Sequence, residues 1–304
     1  MQDSKDKYRE LQIDKKPKSS LDRRDFFAGA AGLAATALGV NQAVAGGHMR
    51  AQMELSGEDK LARPVGEGAQ ILVTGANRGL GLEFTRQYAE RGAKIIATAR
   101  KPEAADVLNA LAADNKNIVV EKLDVTDHAE IESLAAKYEG VPIDLLLNNA
   151  GIGGGIENQM FGKMNYDVFY EVMAVNVAGP MKICEEFRNN VGMSELKKMI
   201  SVSSSQGSIA SVKMPMLYWY RSSKSALNMQ MVNLALQLKR KKIIVGLVTP
   251  GATSTDFIPE QFRKAIKGIQ EPPVAAADMI RNIDRFSLAN TGTFFDYTGD
   301  IVPW

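Results

Sequence analysis

Thr74-Gly75-Ala76-Asn77-Arg78-Gly79-Leu80-Gly81 joins an apolar run at 71–74 to a stretch with helical periodicity at 80–91. A glycine-rich turn leaving a buried strand and opening a helix brings backbone N–H groups and the positive helix end to one point, which suits a pyrophosphate. Glycine spacing alone is common. Its position between a strand and an amphipathic helix is what gives it meaning. Gly75, Asn77, Arg78, Gly79, Leu80 and Gly81 are therefore candidate dinucleotide contacts.

Outward from that turn, short apolar runs at 94–99, 118–123, 143–147, 198–202, 243–248 and 292–295 alternate with helical patterns at 127–138, 167–190 and 218–239. Alternation of this kind predicts βαβ units with right-handed crossovers. With the strand at 71–74 it gives an α/β fold: one Rossmann-type, doubly wound domain over 68–304, its seven-stranded, mostly parallel sheet ordered 3-2-1-4-5-6-7 with helices on both faces. The segment 256–274, bracketed by Pro259, Pro272 and Pro273, interrupts the rhythm and reads as a lid or substrate loop.

Composition narrows the field. A chain of 304 residues, 45% hydrophobic, with a net charge of +2, gives no electrostatic reason to expect nucleic acid as a partner. The single Cys184 excludes an internal disulfide, and His48 and His128 are too few and too far apart for a metal cluster. Residues 1–45 combine a polar, lysine-rich start, Arg23-Arg24, a small-residue apolar run and Ala43-Val44-Ala45, which has the form of a cleavage site. That pattern looks like a twin-arginine export signal and implies a periplasmic destination, with no membrane contact after cleavage. If the signal does not function, the chain stays cytoplasmic. Residues 46–67 read as a linker.

The ends of the strands carry the remaining candidates. After the second strand stands Arg100, where an acid would favour NAD; a planar cation there suits a 2′-phosphate and favours NADP(H). Arg78 can lie near the same phosphate. Asp124-Val125 follows the third strand and can meet an adenine, although Asp124, Thr126 or Asp127 can equally cap the next helix. Asn149, Ala150 and Gly151 sit at the end of the fourth strand, and Pro250, Gly251 and Thr255 follow the sixth. Tyr220 and Lys224 lie one helical turn apart on one face, where a cation can lower the phenol's pKa.

These motifs, in this order, resemble the classical short-chain dehydrogenase/reductase family across 70–304, and within it the C-factor and sniffer-like carbonyl reductase group. The resemblance implies a catalytic set of Asn176, Ser204, Tyr220 and Lys224. Tyr220 is then the general acid or base, Lys224 holds the nicotinamide ribose, Ser204 donates to the substrate oxygen, and Asn176 kinks its helix around a water. Ser204 stands farther ahead of Tyr220 than is usual, which fits the longer connection of the sniffer-like group. Ser203, adjacent on the strand, should point the other way. The resemblance also implies a small carbonyl or alcohol substrate and a homo-oligomer, dimer or tetramer, formed through the helices at 167–190 and 218–239. An exported NADP-binding signalling or sensor protein of the C-factor type, with little turnover, is the alternative. Export poses its own problem, because NADPH is not replenished in a periplasm; a holoprotein that folds around the nucleotide before export would meet it.

Overall fold

The computed structural model describes residues 63–304 except 259 and 265. The export segment 1–45 and most of the linker lie outside the described residues.

Seven parallel strands form the sheet: β1 Gln70–Val73, β2 Lys94–Ala99, β3 Ile118–Lys122, β4 Leu145–Asn148, β5 Lys198–Val202, β6 Ile244–Val248 and β7 Phe294–Phe295, in the order β3-β2-β1-β4-β5-β6-β7. Between them run α1 Gly79–Glu90, α2 Asp106–Asp114, α3 His128–Lys137, α4 Tyr166–Met173, α5 Gly179–Glu186, α6 Arg188–Met193, α7 Tyr218–Leu238, α8 Glu260–Arg263 and α9 Pro272–Asp284. The central strands are apolar at nearly every position because both of their faces are covered. Ile71 and Val73 of β1, Leu145 and Leu147 of β4 and Ile200 of β5 join the core beneath α1 and α9. Leu72, Leu146 and Met199, their neighbours in sequence, face Ile183, Leu227 and Met231 on the other side. Alternation of side chains along each strand thus builds two cores from one sheet. The crossover from β1 outward to β3 and the jump back to β4 open a crevice at the strand ends, and this is where the glycine turn lies.

Four expectations need correction. Residues 63–67, assigned to the linker by composition, dock on the domain: Val65 is buried and its N–H donates to Asp284 Oδ1 at 2.8 Å. The helix expected over 167–190 is not continuous. It passes through a π-helical turn, Ala174–Ala178, between α4 and α5, and breaks again at Phe187. Pro180, which has no N–H to offer to the preceding turn, accounts for the widened register. The lid expected over 256–274 ends earlier, because Pro272 and Pro273 occupy the first turn of α9, where a missing N–H costs nothing. A bridge between Thr253 and Gln270 closes its base. The fourth strand is also shifted: it starts at Leu145 and takes in Asn148, because Asp144 turns its carboxylate onto the Gln70 N–H at 3.0 Å. The structure adds α2, α9 and the single turn α8 to the helices read from periodicity.

Candidate active site

The glycine turn is held from behind. Thr74 Oγ1 accepts from the N–H groups of Asn149 and Ala150, both at 3.0 Å, and Asn149 Nδ2 donates to Thr74 O at 2.9 Å and Gly75 O at 3.2 Å. The end of β4 therefore fixes the shape of the turn after β1. Gly75 has φ 67°, and a Cβ there would stand 3.0 Å from Ala150 Cα. A Cβ on Gly81 would collide with Gly75 O. Only glycine fits at these two points, so helix and strand approach closely enough to leave a cradle.

Helix α1 begins after Arg78 with no side-chain cap and no acid in its first turn. Its leading N–H groups and positive end face that cradle. Asn77 and Arg78 are exposed at the rim, and Arg100 is exposed at the end of β2. Arg78 is not idle: its guanidinium pairs with Asp256 Oδ2 at 2.8 Å, both side chains being largely solvent-exposed. Asp124 accepts from the N–H and hydroxyl of Thr126 at 2.9 and 2.7 Å, forming a local turn, while Asp127 caps α3. Val125 is buried beside Gly179. Gly251 lies against the ring of Tyr297, and Thr255 reaches to within van der Waals range of Gly79. These residues border the same crevice from four strand ends, and the cradle, the uncapped helix and Arg100 fit a dinucleotide carrying a 2′-phosphate.

The second half of the site is built on α7. Tyr220 and Lys224 are both buried, with Lys224 Nζ 5.9 Å from the Tyr220 ring centre and donating to Val202 O at 2.9 Å. Ser204, just past β5, accepts from Gln206 N–H at 3.2 Å, and its hydroxyl is near enough to the Tyr220 phenol to lower the phenol's pKa. Ser203 points away and donates to Asn228 Oδ1 at 2.6 Å, as strand alternation requires. Asn176, in the π turn, is fully buried. Its Oδ1 accepts from Ile152 N–H and its Nδ2 donates to Ile152 O, each at 2.9 Å, and also to Ser223 Oγ at 3.0 Å. Gly151 lies beside both Asn176 and Lys224.

Burial pushes the Tyr220 phenol up to about 12, with the nearby Ser204 hydroxyl pulling back, and burial brings the Lys224 amine down to about 8. The expected depression of the phenol by Lys224 is thus not the dominant effect in the protein alone. Desolvation is the largest cause of the phenol's shift, and the amine is turned toward a backbone carbonyl.

Three contacts escaped the sequence. Ser223 donates to Tyr220 O at 2.8 Å and receives Asn176 Nδ2. Phe257 packs its ring 4.8 Å from that of Tyr220, in space left by Gly153. Gln159 accepts from the Tyr220 N–H at 2.9 Å. Ser223 stands three residues from Tyr220, a legible helical spacing, and Phe257 lies in the 256–274 segment read as a lid or substrate loop, whereas nothing local marks Gln159.

A doubly wound sheet with a glycine cradle at its switch point, and a buried Tyr–Lys pair with a half-buried serine beside it, defines a dinucleotide-dependent dehydrogenase frame. The short chain dehydrogenase family model matches residues 69–265, and the chain belongs to that family. It is 31% identical to the 1-hydroxy-2-glutathionyl-2-methyl-3-butene dehydrogenase of Rhodococcus sp., over 77% of this chain and 99% of that one. It resembles the NADPH-bound carbonyl reductase from chicken fatty liver with a TM-score of 0.72 and 26% identity, covering 79% of this chain and 95% of the other. Carbonyl reductase Sniffer of D. melanogaster aligns with a TM-score of 0.70 over 78% of this chain and all of its own; at 23% identity this likeness is one of fold.

Proposed function

We propose that the protein is an NADP(H)-dependent oxidoreductase that interconverts a small carbonyl compound and its alcohol. The observation that carries this reading is the buried Tyr220 with Lys224 Nζ 5.9 Å from its ring centre, beside Ser204 and Gly151 at the crevice edge next to the glycine cradle. The nicotinamide supplies the hydride in reduction and takes it back in oxidation.

The chain's own residues manage the proton and the oxygen. The Tyr220 phenol, held near 12, is protonated at neutral pH and delivers its proton to the carbonyl oxygen as the carbon is reduced. Ser204 donates to the same oxygen, an interaction that strengthens as negative charge develops there. Lys224 stays cationic below about 8 and holds the nicotinamide ribose, lowering the phenol's cost of ionisation once turned toward it. Asn176 fixes the backbone of Ile152 beside them. Arg100 and Arg78 take the 2′-phosphate, with Arg78 exchanging Asp256 for it, which gives the preference for NADP(H) over NAD(H).

The test is an assay of a panel of small aldehydes and ketones with NADPH and with NADH, in the wild type and in Tyr220→Phe. Tyr220→Phe is expected to lose about 10²- to 10⁴-fold in turnover while binding NADPH as well as wild type. Unchanged turnover overturns the acid assignment. Faster turnover with NADH than with NADPH overturns the cofactor preference.

A further inference from the structure

Helix α7 carries Tyr220 and Lys224, yet its start is poorly made by local standards. Its N-cap residue is Leu217, in the left-handed region at φ 53°, and no side chain of the adjoining chain caps it. The first intrahelical bond runs from Arg221 N–H to Leu217 O, at 2.8 Å. The N–H of Tyr220 therefore belongs to the group at every helix start that has no intrahelical acceptor, and Tyr220 is buried away from water. Gln159, 61 positions earlier, supplies the acceptor through Oε1 at 2.9 Å.

The other end of the same amide is also engaged. Gln159 Nε2 donates to Gly153 O at 2.7 Å and Gly155 O at 2.8 Å. The orientation of the amide is fixed by its partners, since an N–H requires the oxygen and two carbonyls require the nitrogen. Gln159 is 1% exposed, so neither end can exchange its partner for water. Gly153 lies under the Phe257 ring that faces Tyr220, and Gly154 is pressed against Val168 and Val172 of α4. One side chain thus ties the backbone of the acid residue to the loop forming the neighbouring wall.

We propose that Gln159 is a positioning residue: its buried amide fixes Tyr220 relative to the 153–155 loop, and thereby the phenol relative to the carbonyl that loop borders. This rests on the reading of Tyr220 as the acid. Asn176 holds Ile152, one residue before this loop, so the wall is anchored at both ends. Without Gln159 the wall keeps the Asn176 anchor, while the start of α7 loses its remote cap. The cofactor cradle, built from β1, α1 and the end of β4, has no part in this junction.

Gln159→Met preserves length and removes every hydrogen bond. With benzaldehyde and NADPH it is expected to lower kcat by about 10- to 100-fold, the scale of a misplacement near an ångström, while leaving NADPH affinity unchanged by fluorescence titration. Hydrogen exchange at the Tyr220 amide should be faster than in wild type. Gln159→Asn keeps a buried amide but shortens it by one carbon, which guards against a variant that fails to fold, and should show the same split on a smaller scale. Wild-type kcat in either folded variant, or a loss of kcat matched by an equal loss of NADPH affinity, overturns the proposal. Tyr220→Phe separates the two ideas. If it stays active the acid assignment fails, whereas an inactive Tyr220→Phe beside fully active Gln159 variants defeats this proposal alone.

Discussion

Strand β5 has a buried lysine at each end, and the two solve different problems. Lys198 opens the strand at 1% exposure, and Lys224, 5% exposed, reaches from α7 to the carbonyl of Val202 at its close. Burial brings both amines down to about 8. By burial and titration they are twins. Their hydrogen bonds differ. Lys198 Nζ donates to Arg63 O at 3.2 Å, Ile283 O at 3.0 Å and Asp284 O at 3.2 Å, so all three donors of an ammonium are engaged. It caps the end of α9, where a cation meets the negative end of the helix, and pins residues 63–65 to the domain. Lys224 has one hydrogen bond among the described residues and lies beside Gly151 at the crevice. A buried charge with a full set of partners is structural, and one with donors left over is poised for something that is not protein.

Exchanging each lysine for methionine gives the sharpest separation. Lys224→Met is expected to cost about 10²-fold or more in carbonyl reduction, while Lys198→Met leaves turnover nearly intact. Steady-state rates with NADPH check this, and comparable losses in both variants would break the contrast.

The pH dependence is the next largest effect. Reduction needs the Tyr220 proton, present up to about 12, and the Lys224 cation, present below about 8 and lost above it. For the free enzyme, kcat/KM should therefore fall as pH rises through about 8. That limb should vanish in Lys224→Met and persist in Lys198→Met. A limb that disappears with Lys198 instead would reassign it.

The smallest effect is on stability. Lys198→Met strands the carbonyls at the end of α9 and should lower unfolding free energy by about 1–3 kcal/mol, measured by thermal melts near neutral pH. The sign with pH follows from linkage. The folded value of about 8 lies below the ordinary 10.5, so between them the unfolded chain binds the proton more tightly, and wild-type stability gains from Lys198 as pH rises across that window. The variant should lack that share of the gain. An equal rise in both proteins would show that the Lys198 amine does not titrate there.

Much of this molecule is legible from local pattern. The alternation of apolar runs and helical stretches yields the strands, helices and doubly wound class, and the glycine turn marks the crevice, because both depend on periodicity and on residues that are sterically special. Tyr220 and Lys224 are legible for a similar reason, since a spacing of four fixes a shared helical face. What sequence left out are the contacts between distant segments. Gln159 lies 61 positions from the N–H it satisfies, and Phe257 reaches Tyr220 from the far side of the crevice. No periodicity encodes such pairs.

Sequence by itself determined the family of folds, the glycine turn and the shared helical face of Tyr220 and Lys224, through spacing, sterics and side-chain chemistry. Only the tertiary structure decided the electrostatic state of that pair and what holds it in place. Burial raises the phenol's proton affinity, and burial is a property of the packed chain. The amide that anchors Tyr220 and the count of donors left on Lys224 likewise depend on which segments meet.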